Sequence, residues 1–199
     1  MTNEHWNQTY IAKSPEDRSW TQSTPTESLQ LISESDVSLS DPIIDVGGGA
    51  SLLVDELINN GYRDITLLDI SSVALSATES RLGGSVHYIH ADITTWIPKR
   101  TFAVWHDRAV FHFLTSNEDQ DSYLRAMLAA TATGSHIFIA TFATAGPDTC
   151  SGLPVQRWSQ DALADFFSDQ CTVVETFESV HTTPWGSSQP FSWLHARRK

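Results

Sequence analysis

The sequence predicts an α/β fold with a doubly wound, mostly parallel sheet of seven strands that has one antiparallel edge strand. A strand, a glycine turn and a helix follow one another at 42–58, and strands alternate with helices from there to about 167. Alternation of this kind gives a parallel sheet with helices on both faces. The last two strands have only a short turn between them, which predicts the antiparallel strand because a short connection joins only antiparallel neighbours.

The glycine turn is the most informative of these features. Residues 43–46 (Ile-Ile-Asp-Val) have the apolar character of a buried strand, and apolar residues return at helical spacing at Leu53, Leu57 and Ile58. The three glycines at 47–49 permit positive φ values and let a ligand approach bare backbone. Free N–H groups at the start of the helix favour a polar or anionic group of that ligand.

The residues around the glycines narrow the class of ligand. A phosphate-binding loop would end in Gly-Lys-Ser or Gly-Lys-Thr, which does not follow here, and a nicotinamide-binding turn would have glycine in place of Leu52. An acid, Asp45, instead lies two residues before the first glycine. About twenty residues further on, Asp69 ends the next apolar run, where an acid commonly accepts hydrogen bonds from ribose hydroxyls.

These residues resemble the class I S-adenosylmethionine-dependent methyltransferases. In that family strand one carries acid-x-Gly-x-Gly, seen here at 45–49, and an acid ends strand two, seen here at 68–71 (Leu-Asp-Ile-Ser). Ser51 stands where many members have a third glycine. Residues 107–114 (Asp-Arg-Ala-Val-Phe-His-Phe-Leu) resemble a narrower group, small bacterial methyltransferases related to the tellurite-resistance type. The resemblance implies a Rossmann-like methyltransferase fold and S-adenosylmethionine as cofactor, with S-adenosylhomocysteine as product.

The resemblance implies cofactor-binding roles for residues at three strand ends. Asp45 would hold the ammonium group of the cofactor directly or through water, Asp69 the ribose hydroxyls, and Asp92 the adenine amino group. Ile70 and Ile93 would enclose the adenine ring. Any one of these carboxylates alone is equally typical of a turn or a helix cap. The predicted cofactor-binding set is Asp45, Gly47, Gly48, Gly49, Asp69, Ile70, Asp92, Ile93 and Asp107.

The predicted catalytic residues are Asp107, Arg108 and His112, after the fourth strand. By the same resemblance, Asp107 would face the sulfonium and the acceptor. Arg108 would bind an acidic group of the acceptor or the cofactor carboxylate. His112 would serve as a general base, since the unperturbed pKa of histidine lies near about 6.5. The alternatives are a buried ion pair between Asp107 and Arg108, and a histidine that caps the next helix.

The remaining elements follow from caps, turns and apolar periodicity. Residues 1–23 form a polar arm that is either a short helix or irregular. A helix then starts with Thr24 as its cap, and Glu27 completes a capping box. Leu29 and Ile32 form the buried face of that helix. The other predicted elements are strands at 65–69, 86–90, about 101–106, 136–142, 171–180 and 190–197, helices capped by Ser71 and Ser159, and a helix from about Ser116 to Ala130.

Three further segments have two interpretations each. Trp20, in the arm, is either a lid over the cofactor end or an anchor for the arm. Cys150, in the loop 145–155, is either a residue of the acceptor pocket or a buried, inert thiol. The hairpin 181–189 either lies near the pocket or is a plain turn.

Length and charge limit the class of protein. A chain of 199 residues is most simply one domain, divided into an arm and helix (1–40), a cofactor-binding core (41–142) and an acceptor-side part (143–199). With 12 basic and 24 acidic residues, the net charge of −12 disfavours nucleic acid and anionic membranes as partners. The two cysteines form no metal-ligand pair, so no metal site is predicted. The start has no signal-peptide pattern, which predicts a cytoplasmic protein; the oligomeric state is open.

The leading hypothesis is a methyltransferase that acts on a small molecule. The chain is short and has no basic groove, which favours a small acceptor. Protein methylation is the second hypothesis, and an apolar patch at the pocket mouth would favour it. The third is a protein that binds the cofactor without transferring methyl, which a sealed pocket would favour. A nicotinamide dehydrogenase is disfavoured by Leu52 and the antiparallel ending.

Overall fold

The computed structural model describes residues 2–199, and Met1, the first residue of the predicted arm, lies outside them. Within these residues the strands are β1 (Ile43–Val46), β2 (Ile65–Asp69), β3 (His87–His90), β4 (Phe102–Arg108), β5 (Thr131–Phe142), β6 (Thr149–Cys150), β7 (Leu153–Pro154), β8 (Cys171–Thr182) and β9 (Ser188–Arg198). The α-helices are α1 (Asn3–Ala12), α2 (Thr26–Glu34), α3 (Leu53–Asn59), α4 (Ser72–Leu82), α5 (Asn117–Ala130) and α6 (Gln160–Phe167). No helix within 2–199 is both long enough and apolar enough to cross a membrane.

Seven strands form one sheet in the order β3-β2-β1-β4-β5-β9-β8. All pairings from β3 to β5 are parallel, and β9 runs antiparallel to both β5 and β8. The predicted fold class is therefore confirmed. The antiparallel strand is β9, the second strand from one edge of the sheet, and β8 is the edge strand itself. A tight turn joins these two strands, with hydrogen bonds from Thr183 N to Ser187 O (2.8 Å) and from Gly186 N to Thr183 O (2.8 Å).

The chain reverses strand order beside β1, because β2 pairs on one side of it and β4 on the other. In a doubly wound sheet, ligands bind at the carboxyl ends of the strands at such a switch point. The fourth strand is longer than the predicted 101–106. It continues through Asp107 and Arg108, which pair in register with Ile139 and Ala140 of β5. The sheet thus carries polar side chains up to the edge where a ligand would bind.

Apolar side chains cover both faces of the sheet. On one face α5 and α6 pack against β4, with Trp105, Phe111, Tyr123 and Phe167 fully buried. On the other face α2, α3 and α4 pack against β1, β2 and β5. The alternation within β1 shows this division, since Ile43 belongs to the second core and its neighbour Ile44 to the first.

The start of α2 differs from the prediction. No capping box forms at Thr24, because the first intrahelical hydrogen bond runs from Leu29 N to Pro25 O (3.0 Å). Pro25 is therefore the N-cap residue, and no side chain caps the helix. The buried face was also only partly right: Ile32 is buried as expected, but Leu29 is partly exposed. Ser28 and Leu31 complete the buried face instead.

The two predicted serine caps are confirmed, and Ser116 caps the helix that was predicted to begin near it. Ser71 Oγ accepts from Ala74 N (3.2 Å), Ser116 Oγ from Asp119 N (3.2 Å), and Ser159 Oγ from Ala162 N (3.1 Å). Such a bond satisfies one of the backbone N–H groups left free in the first turn of a helix.

The N-terminal arm is ordered against the core. Its helix α1 is tied to the start of α4 by Asn7, whose Oδ1 accepts from Ser71 Oγ (2.8 Å) and Val73 N (3.3 Å). Trp6 in the same helix is buried. The arm therefore lies over the carboxyl end of β2, the edge of the sheet where a ligand would bind.

Replacing Tyr123 with phenylalanine should destabilise the protein by about 1–3 kcal/mol, because two buried groups lose a partner. The Tyr123 hydroxyl donates to Asp107 Oδ2 (2.7 Å) and accepts from Trp105 Nε1 (2.8 Å). Urea unfolding of the unliganded protein measures the change. Tyr88→Phe is the matched control, since that hydroxyl bonds to Gly83 O (3.1 Å) at the surface. Equal losses in the two variants would contradict the buried network.

Candidate functional site

The glycine turn after β1 has a shape that other residues cannot adopt. Gly47 and Gly49 have φ values of 68° and 54°, in the region that L side chains rarely occupy. At Gly48 a Cβ atom would collide with the carboxylate of Asp45 and with Leu67. The backbone of the turn is therefore bare, as close approach of a ligand requires.

Asp45 lies beneath this turn, at 2% exposure. Its Oδ1 is 2.7 Å from His106 Nδ1. Its Oδ2 is enclosed and has no hydrogen-bond partner among residues 2–199. A buried acceptor without a partner is costly, so this oxygen is suited to a donor supplied by a ligand.

Asp69, at the end of β2, is 5% exposed. Its Oδ1 accepts from Ser71 N at 2.7 Å. Burial raises the pKa of this carboxyl to about 7, and the charge of Asp45 adds to the shift. Tyr10 of α1 covers the same place, and burial together with Asp69 raises the pKa of its phenol. Asp69 is thus a buried acceptor beside the turn.

A narrow cleft beside Asp69 contains the residues predicted to enclose an adenine ring. Ile70, Asp92 and Ile93 line it together with Gly47. Asp92 Oδ1 accepts from Thr94 N (2.9 Å) and Thr94 Oγ1 (2.7 Å), so this carboxylate also stabilises a turn. The structure therefore brings the cofactor-binding residues predicted around the glycine turn to one edge of the sheet.

Asp107 has a different environment from Asp45 and Asp69. It is fully buried, its Oδ1 accepts from Val110 N (2.8 Å), and its Oδ2 accepts from Phe111 N (3.1 Å) and Tyr123 Oη (2.7 Å). Burial raises its pKa to about 6. These contacts close the loop after β4. The alternative ion pair with Arg108 does not form, because successive residues of a strand point to opposite faces.

Arg108 points into the site. Its Nη1 donates to Trp20 O at 3.2 Å, and its guanidinium carbon lies 4.7 Å from the centre of the Phe191 ring. Its Nη2 is enclosed without a partner. Burial lowers its pKa to about 10, so the group still carries its charge at neutral pH. Arg108 is therefore a charged donor whose Nη2 has no partner among residues 2–199.

His112 is fully buried and accepts a hydrogen bond from Phe142 N at Nδ1 (3.4 Å). Its ring packs against Phe113 and Phe142. Burial, with a contribution from Arg108, lowers its pKa to about 3, so the ring is neutral at neutral pH. It does not cap the next helix, since Ser116 does so.

Two adjoining cavities lie between the arm and the carboxyl ends of the strands. The larger, here called the arm cavity, has a volume of about 370 Å³ and lies between the arm, α2 and the glycine turn. The smaller, the aromatic cavity, has a volume of about 70 Å³ and is walled by Trp6, Trp20 and Phe113. Residues common to both are Tyr10, Trp20, Gly47 and Arg108.

Trp20 lines both cavities and makes edge contacts with Trp6 and Tyr10. It therefore covers the site, and through its carbonyl it also anchors the arm to Arg108. Cys150 is buried and lines the aromatic cavity, where burial raises the pKa of the thiol. The predicted hairpin segment 181–189 is tied to the arm as well, since His181, near the end of β8, has its Nε2 2.7 Å from Ser19 O.

Sequence reasoning missed four residues of the site: Trp6, Tyr10, Ser28 and His106. The first two lie in an arm whose sequence shows only isolated aromatic residues. Ser28 and His106 line the arm cavity. No local sequence signal marks His106, because its position opposite Asp45 arises from the register between β1 and β4.

Comparison with known proteins identifies similar structures but no similar sequence. No sequence family and no curated protein matches the chain. A structure reported under "Conversion of a Disulfide Bond into a Thioacetal Group during Echinomycin Biosynthesis" superposes with a TM-score of 0.79 at 20% identity, covering 99% of this chain and 92% of that one. The N-methyltransferase NodS from Bradyrhizobium japonicum WM9, in complex with S-adenosyl-L-homocysteine, gives 0.70 at 15% identity, covering 96% and 97%.

The chain has a methyltransferase fold. TehB from Haemophilus influenzae, at 18% identity and a TM-score of 0.67, covers 85% of this chain and 62% of its own. The methyltransferase fold seen in these structures confirms the predicted architecture. The narrower sequence resemblance to the tellurite-resistance type stays a prediction, because no sequence family matches.

The contribution of the buried Asp69 carboxyl to the free energy of unfolding of the unliganded protein should fall as the pH rises from about 4 to about 7. Its pKa is about 7 when folded and about 3.9 when unfolded, so the folded state binds the extra proton throughout this window. The free energy of unfolding then falls until the folded carboxyl has also ionised. Asp107, with a folded pKa of about 6, adds to the decline below that pH.

His112, whose folded pKa is about 3, changes the stability in the opposite direction up to about pH 6.5, so the contribution of Asp69 is read as a difference between two proteins. The free energy of unfolding of Asp69→Asn minus that of the unaltered protein should increase with pH between about 4 and 7. Urea unfolding at a series of pH values measures this difference. Asp55→Asn, which removes a surface carboxylate paired with Arg81 (2.5 Å), should show no such increase. A profile for Asp69→Asn that matches the unaltered protein would contradict the raised pKa.

Proposed function

We propose that the protein is an S-adenosylmethionine-dependent methyltransferase that methylates a small-molecule acceptor, within a single domain. The observation that carries this proposal is the aromatic cavity, which lies directly beside Gly47 and Asp69 at the switch point of the sheet. It supplies a place for an acceptor next to the place for a cofactor. The similarity in fold to methyltransferase structures supports the same reaction class.

The residues at the glycine turn suit this cofactor. Asp45 has a free oxygen for an ammonium group, Asp69 has acceptor capacity for ribose hydroxyls, and Ile70 and Ile93 line a cleft for adenine. The turn has no side chain that would block contact with the backbone at Gly48. The cofactor would supply the methyl group from its sulfonium, and the chain would bind and orient both reactants.

The aromatic cavity suits a small acceptor with an apolar part. The rings of Trp6, Trp20 and Phe113 exclude water and fix the orientation of a bound molecule, which is the main contribution an enzyme makes to a direct displacement. Arg108 adds a charged donor, which suits an anionic group of the acceptor or the carboxylate of the cofactor.

Among the predicted catalytic residues, Arg108 has the environment that supports a direct role best. Asp107 would act indirectly: it accepts a hydrogen bond from Val110 N and so fixes the loop that places Val110 in the wall of the aromatic cavity. A general base must accept a proton, and the pKa of His112, about 3, makes its ring a weak proton acceptor. An acceptor that attacks without losing a proton to a base, such as a thiolate, needs no such group.

The two alternatives lack the features that would favour them. Protein methylation would be favoured by an exposed apolar patch at the cavity mouth, but none of the large exposed apolar side chains lines the arm cavity or the aromatic cavity. Among residues 2–199 they are Ile11, Leu39, Ile97, Val173, Val174, Val180 and Trp185. A protein that only binds the cofactor would have a sealed wall beside the turn, where this chain has the aromatic cavity.

Calorimetric titration with S-adenosylmethionine, S-adenosylhomocysteine and NAD tests the proposal. We expect micromolar affinity for the two sulfur compounds, a binding free energy of about −8 kcal/mol, and no binding of NAD. A screen of small acceptors with methyl-labelled cofactor then follows. Binding of NAD alone would mean that the turn serves a nicotinamide enzyme, and binding of none would refute the cofactor assignment.

Asp69→Ala should abolish binding of S-adenosylhomocysteine, because the ribose hydroxyls lose their acceptor. The same calorimetric titration measures it, after circular dichroism has shown that the variant folds. Asp55→Ala, which removes a carboxylate from the surface of α3, should bind as the unaltered protein does. Unchanged affinity in Asp69→Ala would remove the ribose assignment.

A further inference from the structure

A chain of hydrogen bonds runs beneath the glycine turn through Ser28, His106 and Asp45. Ser28 Oγ is 2.9 Å from His106 Nε2, and His106 Nδ1 is 2.7 Å from Asp45 Oδ1. The three side chains are 1%, 2% and 2% exposed, and all three line the arm cavity. They come from three different elements: α2, β4 and β1.

The fold produces this arrangement through strand register. Asp45 and His106 are paired positions on the parallel strands β1 and β4, so their side chains stand side by side on one face of the sheet. Helix α2 covers that face, and its buried side carries Ser28. Polar groups in such a place lower stability unless they are hydrogen-bonded, and the core around them would accept apolar residues instead.

The hydrogen bonds fix the proton positions. A carboxylate only accepts, so His106 Nδ1 carries the proton that faces Asp45. In the neutral ring Nε2 then accepts from the Ser28 hydroxyl. This chain uses only one oxygen of Asp45. The other, Oδ2, is enclosed beside Gly48 and has no partner.

We propose that His106 and Ser28 are positioning residues that hold Asp45 so that its free oxygen receives the α-ammonium group of the cofactor. The inference rests on the proposed function and adds to it two residues and a specificity. The site selects ligands that carry a charged amino group on the sulfur-bound chain. Neither His106 nor Ser28 needs to touch the ligand, because both act through the orientation of the carboxylate.

The same order of residue types is found in serine hydrolases, where the serine attacks the substrate. Here Ser28 lies in a helix, and Asp45 keeps an oxygen that has no partner among residues 2–199 on the side of the glycine turn. The unpaired atom of the chain is therefore on the carboxylate, so the arrangement is better suited to orienting Asp45 than to attack by Ser28.

Two ligands that differ in the amino-acid part test the proposal by calorimetry. S-adenosylhomocysteine carries the ammonium group, and 5′-methylthioadenosine lacks the whole amino-acid part but keeps the adenosine. His106→Leu should weaken binding of S-adenosylhomocysteine at least about tenfold, because a hydrogen bond to a charged group is lost, and should leave 5′-methylthioadenosine unchanged. Asp45→Asn, which keeps the shape of the side chain, should show the same split.

His106→Asn is the conservative variant, since its amide N–H can replace the Nδ1 donor to Asp45; it should recover most of the affinity that His106→Leu loses. Ser28→Ala should lower the affinity for S-adenosylhomocysteine by a smaller factor than His106→Leu does. Equal weakening of both ligands in all four variants would mean a merely structural role, and unchanged affinity for both would mean no role. Either result overturns the proposal while the cofactor assignment stands.

Failure of the unaltered protein to bind either ligand would overturn the proposed function, and this inference with it. Hydrolysis of p-nitrophenyl acetate is a second experiment, which tests for a nucleophilic serine. Turnover by the unaltered protein that disappears in Ser28→Ala would show a nucleophilic serine and replace the proposal. No turnover above buffer agrees with orientation alone.

Discussion

The register between β1 and β4 is the constraint on which the site depends. It sets Asp45 opposite His106 and Val46 opposite Asp107, so the glycine turn after β1 and the loop after β4 meet at one edge of the sheet. A shift of one residue would turn each side chain to the opposite face. Asp45 would then lose His106, and Arg108 would leave the cavities for the α5 face. The apolar residues of the two strands enforce this register, since Ile43, Ile44 and Val104 are fully buried on their respective faces.

Three buried carboxylates at this edge separate into two kinds by the number of donors around them. Asp107 accepts from two backbone N–H groups and a tyrosine, which uses both of its oxygens and closes a loop. Asp45 has one oxygen without a partner among residues 2–199, and Asp69 lines both the aromatic cavity and the adenine cleft, with a pKa that burial and the charge of Asp45 raise. A carboxylate with all partners supplied by the chain stabilises the fold. One that lacks them at the switch point is suited to a ligand.

Much of the fold was predictable because each strand is a distinct apolar run between turn residues, and the serine caps and the closing hairpin gave clear boundaries. The start of α2 was not, because sequence pattern alone does not show whether Pro25 stands at the cap or one residue later. The motif residues Asp45 and Asp69 could be recognised from local spacing. His106 and Ser28 could not, since their roles arise from strand register and helix packing across 61 and 78 residues of sequence separation.

The arm links these observations to function. Tyr10 and Trp20 close over the glycine turn and Asp69, and two hydrogen bonds hold the arm, one donated by Val73 N of α4 to Asn7 Oδ1 and one by Arg108 Nη1 to Trp20 O. A ligand bound at the carboxyl ends of the strands would therefore lie between the arm and the sheet, away from bulk water. In such a place the charge of Arg108 and the unpaired oxygen of Asp45 act with little screening, which strengthens their interaction with a charged ligand. By excluding water, the arm therefore also strengthens the preference of Arg108 and Asp45 for a ligand of complementary charge.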